Sequence, residues 1–323
     1  MKAEKIPEQE KKFTDTLTNS SGTKYTLDKI TVLDKCEIHH IRPSFDSYYY
    51  KEVVDKKKIV LHFTVGTIRG DMASLTKKDN HMSVSYVIAR NGIIYELFEP
   101  KYWSYHLGRG SVGGNGYNSK ESIGIELSNY GPLNEVGSNL ESVYSEVEYT
   151  DSKGQKKKTK KDIYCSTSEI QYFKRAPLRG YDYFASFTDK QLLATKELVN
   201  YLSKKFNIPK TLLDEKDRYN IFSSSTKAKE FKGICTHINF RSSGKWDIGS
   251  HFDWEIFEDK KPEPVKEIKK EPVVVEEIRP IYTKDDKPDY DIPAKQDNKS
   301  SKWAMIMKVV TFILGFIKKL KKK

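Results

Sequence analysis

Polar stretches separate a few sharp apolar runs along the 323 residues, and those runs outline the framework of a fold. After three lysines comes Ile59-Val60-Leu61-His62-Phe63, short and almost continuously apolar, which reads as a buried strand. Residues 84–89 and 93–97 flank Asn91-Gly92, a tight-turn pair, and together predict a β-hairpin. Ser122–Leu127 (SIGIEL) reads as a third buried strand, and Gly233–Thr236 (GICT) as a short one. Thr188 is placed to cap a helix running to Phe206, with Leu192, Leu193, Leu198, Val199, Leu202 and Phe206 as its apolar positions. Pro209 bars its continuation. Residues 108–118, GRGSVGGNGYN, form a glycine-rich loop without the order of a phosphate-binding loop, so a substrate-groove loop is the most they suggest. The lysine-rich stretch between 147–149 and 163–164 reads as a basic hairpin insertion or as a solvated charged loop. Residues 1–50 are polar, with one candidate strand at 29–33, and are taken as an N-terminal extension.

Composition redraws the picture at the C-terminal end. Residues 258–302 hold six of the twelve prolines and set eleven Lys/Arg against twelve Asp/Glu, the make-up of an extended or disordered linker. Residues 303–323, WAMIMKVVTFILGFIKKLKKK, carry six lysines and no acid. Their apolar run, 303–317, would rise about 22 Å as a helix, short of a bilayer core of about 30 Å. A cationic helix lying on a membrane surface fits better than a short tilted span or a helix docked on the domain. Mean hydropathy is −0.69 and the formal charge +12, half of it in this tail. A basic balance calls for an anionic partner, but no nucleic-acid readout motif accompanies it, so nucleic acid is not expected. Cys36, Cys165 and Cys235 are odd in number and show no metal or disulfide spacing. The N-terminus shows no apolar stretch of a secretory signal.

Candidate chemistry sits at the ends of the buried strands. His62 closes the first, His237 follows GICT, and Asp247 lies ten residues on, in GKWDIG. Two imidazoles and a carboxylate form a ligand set for a hydrolytic zinc site with an open fourth position. Taken singly, a strand-end histidine is more often structural than a ligand. His39 and His40, adjacent in a weakly patterned region, read as surface residues, and Cys235 as a small buried residue rather than a nucleophile.

The order of motifs changes that weighting. LHFT, the Asn-Gly hairpin, WSYHLG, SIGIEL, a helix opening T-D-K-Q, then THIN and KWDIGSHFDW follow one another over residues 59–257. This succession closely resembles the type-2 N-acetylmuramoyl-L-alanine amidases, the family that includes phage lysozyme-like amidases and peptidoglycan recognition proteins. The resemblance implies an α/β fold, a single amidase-type domain, placed at 51–257, with a central mixed β-sheet flanked by helices; composition adds the disordered linker and the C-terminal cationic amphipathic helix after it. It implies zinc held by His62, His237 and Asp247, with Glu126 as general base for the attacking water and Lys245 donating to the developing oxyanion. His106 matches a groove histidine and is expected to bind substrate. The implied substrate is peptidoglycan, cut between N-acetylmuramic acid and L-alanine. Departures are Phe63 where a second histidine is common, Ser85 before Tyr86, and Ile248 in place of proline. A non-catalytic peptidoglycan-binding module on the same fold is the alternative; a missing ligand would mark it, and all three positions are filled. Without a signal peptide, the chain is expected to be made in the cytoplasm and to reach the cell wall as an endolysin does, through a holin-type partner, with the tail on the membrane surface.

Overall fold

Residues 1–50 are not an appendage; they supply a helix and two strands to the sheet that holds the apolar runs. The computed structural model describes residues 1–151 and 154–258. The linker beyond Glu258 and the cationic tail therefore lie outside the described residues. Helix α1 (Lys2–Thr16) opens with the Met1 ammonium donating to Glu4 Oε2 at 3.4 Å and ends at Leu17, which takes the left-handed conformation. Strands β1 (Tyr25–Val32) and β2 (Glu37–Pro43) follow as an antiparallel pair. Then come β3 (Lys58–Phe63), α2 (Ile68–Leu75), the hairpin β4 (Tyr86–Ile88) and β5 (Ile94–Glu96), α3 (Asn115–Lys120) and β6 (Ser122–Leu127). Gly92 turns the hairpin at φ 91°, with Asn91 Oδ1 accepting from the Ile93 amide.

A second sheet then leaves the first: β7 (Pro132–Val136), β8 (Asn139–Ser142), β11 (Ile163–Ser166), β12 (Phe173–Leu178) and β13 (Tyr181–Ala185), in the order β11-β8-β7-β13-β12. Between β8 and β11 stands the lysine-rich insertion, which does form a hairpin, β9 (Glu148–Thr150) with β10 (Lys156–Lys158). The chain returns through α4 (Asp189–Phe206) and α5 (Ser225–Glu230) to β14 (Gly233–Thr236). The cap on α4 is Thr188, whose hydroxyl accepts from the Gln191 amide; the helix stops at Asn207, again left-handed.

The main sheet has seven strands in the order β1-β2-β5-β4-β6-β3-β14, and it is mixed: β3 lies parallel to both β6 and β14, while β4 and β5 are antiparallel. A strand flanked by parallel neighbours and covered on both faces reads as a continuous apolar run, which is why β3 was visible in sequence. Successive side chains alternate faces. On one face Ile59, Leu61, Ile123, Ile125 and Ile234 pack with Leu198, Val199 and Leu202 of α4. The other face receives Val60, Cys235 and, at the strand ends, the polar residues of the site.

His39 and His40 correct the surface reading. Both are buried, at 9% and 7% exposure, because β2 runs between β1 and β5. His40 pairs with Glu96 at 2.8 Å and with Thr31 at 2.8 Å; His39 packs edge-on against Tyr95.

Candidate metal centre and active-site cleft

Three elements bring the site together. His62 stands at the end of β3, on the face away from α4. His237 opens a short 3-10 turn (His237–Phe240) directly after β14. That turn is locked by Asn239, whose Oδ1 accepts from the Thr236 amide at 2.8 Å and its hydroxyl at 3.0 Å; its Nδ2 donates to the carbonyls of Asp217, Arg218 and Asn220. Asn239, which the sequence left without a role, thus fixes where His237 points. Asp247 follows in a loop joined to the turn by a bond from the Ile238 amide to Asp247 O, 3.1 Å.

The three side chains are buried and their ligating atoms converge. His62 Nδ1 lies 2.9 Å from His237 Nδ1 and 3.2 Å from Asp247 Oδ2; His237 Nδ1 lies 3.0 Å from the same oxygen. Adjacent ligands of a tetrahedral zinc at about 2.05 Å stand about 3.3 Å apart, close to the edges of this triangle. The remote nitrogens support the assignment. His237 Nε2 faces Leu107 O at 2.9 Å, and a carbonyl only accepts, so the proton is on Nε2 and Nδ1 carries the lone pair. Two imidazole nitrogens and a carboxylate oxygen within about 3 Å of one another make a donor set that a cation could occupy. Among the described residues this is the one group of three or more such side chains able to hold a metal ion, and its donor set suits zinc.

Electrostatics reinforce the point. Burial pulls the His62 imidazole down to about 4, outweighing the Asp247 carboxylate beside it. Burial would raise Asp247, but His237 and His62 hold it well below the usual carboxylate range, ready to ligate. Cys235, next to the ligand strand, is pushed up to about 12 by burial and stays a thiol.

A cleft of about 400 Å³ reaches this cluster at His237 and is walled by Glu126, Lys245, His106, Tyr105 and Arg109 as well. Glu126 reaches it from β6; its Oε2 is enclosed without a hydrogen-bond partner, and burial, then the Asp247 charge, raise its carboxyl well above the usual range, against the pull of Lys245. Lys245 comes from the loop two residues before Asp247. His106 touches the cleft too, yet both ring nitrogens are engaged inside the protein: Nδ1 with His62 Nε2 at 3.0 Å and Nε2 with Ser122 Oγ at 2.9 Å. A larger groove, about 750 Å³, runs along α1 and shares no residue with the cluster.

The family profile described as N-acetylmuramoyl-L-alanine amidase matches residues 52–250, more than half of the chain. The chain belongs to this amidase family. Among solved structures, it is similar to the amidase AmiD of E. coli in complex with the substrate anhydro-N-acetylmuramic acid-L-Ala-D-gamma-Glu-L-Lys: 18% identity, 71% of this chain, TM-score 0.37. The match spans 64% of AmiD, just under two thirds of that chain. A selenomethionine derivative of AmpD is 15% identical over 70% of this chain and 97% of its own, TM-score 0.35. AmiA, a Staphylococcus aureus hydrolase solved with its ligand, is 15% identical over 64% of this chain and 67% of its own, TM-score 0.33. A search of curated proteins gives no match.

Proposed function

We propose that this amidase-family protein is a zinc-dependent N-acetylmuramoyl-L-alanine amidase, hydrolysing the amide between N-acetylmuramic acid and the first L-alanine of peptidoglycan. The observation that carries the reading is the triangle of His62, His237 and Asp247 donor atoms, whose His237 lines a cleft that also holds Lys245 and Glu126, with the Glu126 Oε2 unpartnered. His62, His237 and Asp247 would hold the metal, which when bound would polarise the scissile carbonyl and acidify a water.

The chain's own residues supply the rest. Glu126 takes the proton of the attacking water and delivers it to the leaving amine; a carboxyl raised by burial is suited to both transfers near neutral pH. Lys245 offers a cation to the oxygen on which negative charge grows, a charge absent from the ground state. Atoms balance: water adds across the C–N bond, leaving a lactyl carboxylate on the sugar and a free amino group on alanine.

The same reading makes the protein a phage-type endolysin that works at the cell wall. Support comes from residues 303–323, six lysines around an apolar run, a composition suited to a membrane surface. The decisive test is mass spectrometry of purified peptidoglycan digested by the full chain, with and without chelator. Free N-terminal alanine with intact glycan, lost on chelation and restored by zinc, supports the proposal. Cleavage within the glycan or peptide, or tight binding without any cleavage by zinc-loaded protein, overturns it.

A further inference from the structure

We propose that Ser122 and His106 are positioning residues for the metal centre: a directed chain of hydrogen bonds, starting at the Asn118 carbonyl, holds His62 in the tautomer whose Nδ1 faces the metal. The inference rests on the metal reading above.

Its direction follows from the end of the chain. Asn118 O can only accept, and Ser122 Oγ lies 2.6 Å from it, so the serine proton points there. Ser122 Oγ therefore accepts from His106, 2.9 Å away, which puts the His106 proton on Nε2. His106 Nδ1 is left as an acceptor. Its partner at 3.0 Å, His62 Nε2, must then be the donor, and His62 Nδ1 keeps its lone pair. Each link leaves one orientation, so a hydroxyl two residues along the chain from α3 decides the ligating nitrogen of His62. His237 needs no such relay, because the Leu107 carbonyl holds it directly.

The fold makes room for this chain. Ser122, Gly124 and Glu126 alternate along one face of β6, opposite Ile123, Ile125 and Leu127 in the core. A Cβ on Gly124 would come within 3.2 Å of His106 Cγ and Nδ1 and 2.8 Å of Val84 Cγ1. The missing side chain is what lets the imidazole lie against the strand. The Asn118 backbone is itself anchored: its side chain donates to Val112 O and Gly114 O and accepts from the buried Lys58 ammonium at 3.0 Å. A histidine committed at both nitrogens has none to offer a substrate, so His106 acts through His62.

The test has two arms. In zinc-loaded wild-type full chain, long-range proton–nitrogen NMR should show His62 and His106 both carrying their proton on Nε2; His62 binding zinc through Nε2, or His106 protonated on Nδ1, overturns the proposal, and no variant is needed. In the second arm, zinc affinity is measured by competition with a chromophoric chelator. Ser122→Ala and His106→Leu should weaken binding by about 10–100-fold, the usual effect of losing a partner behind a metal-ligating histidine. Ser122→Thr keeps the hydroxyl, and His106→Gln can accept and donate at the two ends, so both should recover most of the loss. Gly124→Ala, which removes neither hydrogen-bonding group but crowds His106 Nδ1, should also weaken zinc. Equal affinities across the set overturn the proposal. The amidase reading fails separately: zinc bound with the expected tautomers but no release of alanine amino groups would leave the relay standing and refute the reaction.

Discussion

Arg179 ties the second sheet to the loop that carries Lys245 and Asp247, and its removal is expected to cost activity before stability. It sits in the turn between β12 and β13, in the left-handed region at φ 49°. Its Nη1 donates to Arg241 O and to Lys245 O, each at 2.8 Å, bracketing the loop just before the metal ligand. Other contacts along the same seam are weaker: Trp246 Nε1 donates to Arg179 O at 3.3 Å, Tyr181 packs edge-on against Trp246, and Ser250 Oγ donates to Ala176 O. A hydrogen bond from a charged donor contributes about 1.5–3 kcal/mol net, and partial exposure argues for the lower end. Two such bonds give about 3 kcal/mol in favour of the held loop, which caps the loss at about 100-fold. Arg179→Ala should lower kcat/KM about 10–100-fold, mostly in kcat, if Lys245 acts, as proposed, on charge that grows in the transition state. Arg179→Lys, which can reach one carbonyl, should fall between. Zinc content should stay near wild type, since the metal itself, shared with His62 and His237, would hold Asp247. The assay is amine release against peptidoglycan concentration, with metal content on the same samples. Turnover within twofold of wild type, or loss of zinc in step with activity, would refute the latch.

Further outcomes follow from the same geometry. Glu126→Gln keeps the shape of the cleft but not the base, and should lower turnover by about 10²–10⁴-fold with zinc retained; a near-normal rate would remove Glu126 from the mechanism. Asp71 is pushed up to about 7 by burial, partly opposed by hydrogen bonds from Ser128 and Thr64. Its folded form keeps a proton that the unfolded chain releases, so this contribution is full below its ordinary value of 3.8 and is lost as pH rises toward 7. Melting curves should show wild type losing ground to Asp71→Asn across that window; parallel curves would contradict the assignment. Lys58 is fully buried and donates to Asn118 Oδ1, Ala228 O and Lys229 O. Lys58→Met strands those acceptors and should destabilise by about 2–4 kcal/mol in denaturant unfolding, whereas an unchanged midpoint would show that water replaces the ammonium.

The chain was legible where burial imposed a period or a turn demanded a residue type. β3, β6, β14, the Asn91-Gly92 hairpin and α4 with its Thr188 cap all follow from such local rules, and His62 and His237 stand at the ends of two of those strands. α1 escaped because tertiary contacts, not an apolar stripe, bury its face: beside Ala3, Ile6 and Phe13 lies Glu10, whose carboxylate accepts from the Arg90 and Asn91 amides at 2.7 and 2.9 Å. Pro7 within the helix hid it further. The second sheet escaped because its strands are half exposed and one contains Pro177; β7 is buried for two residues and exposed for three. His106 lines the cleft, as its sequence neighbours suggest, but its hydrogen-bond partners on β3 and β6 were not legible there. A signal was present nonetheless: Ser122, Gly124 and Glu126 place a hydroxyl, a gap and a carboxylate on one face of a strand whose other face is wholly apolar.

X-ray absorption at the zinc edge of the zinc-loaded full chain tests the centre most directly. The expected spectrum has about one zinc per chain in a four-coordinate shell of two imidazoles and oxygen, without sulfur. A sulfur ligand, or wild-type binding left intact by Asp247→Ala, would contradict the assignment of His62, His237 and Asp247.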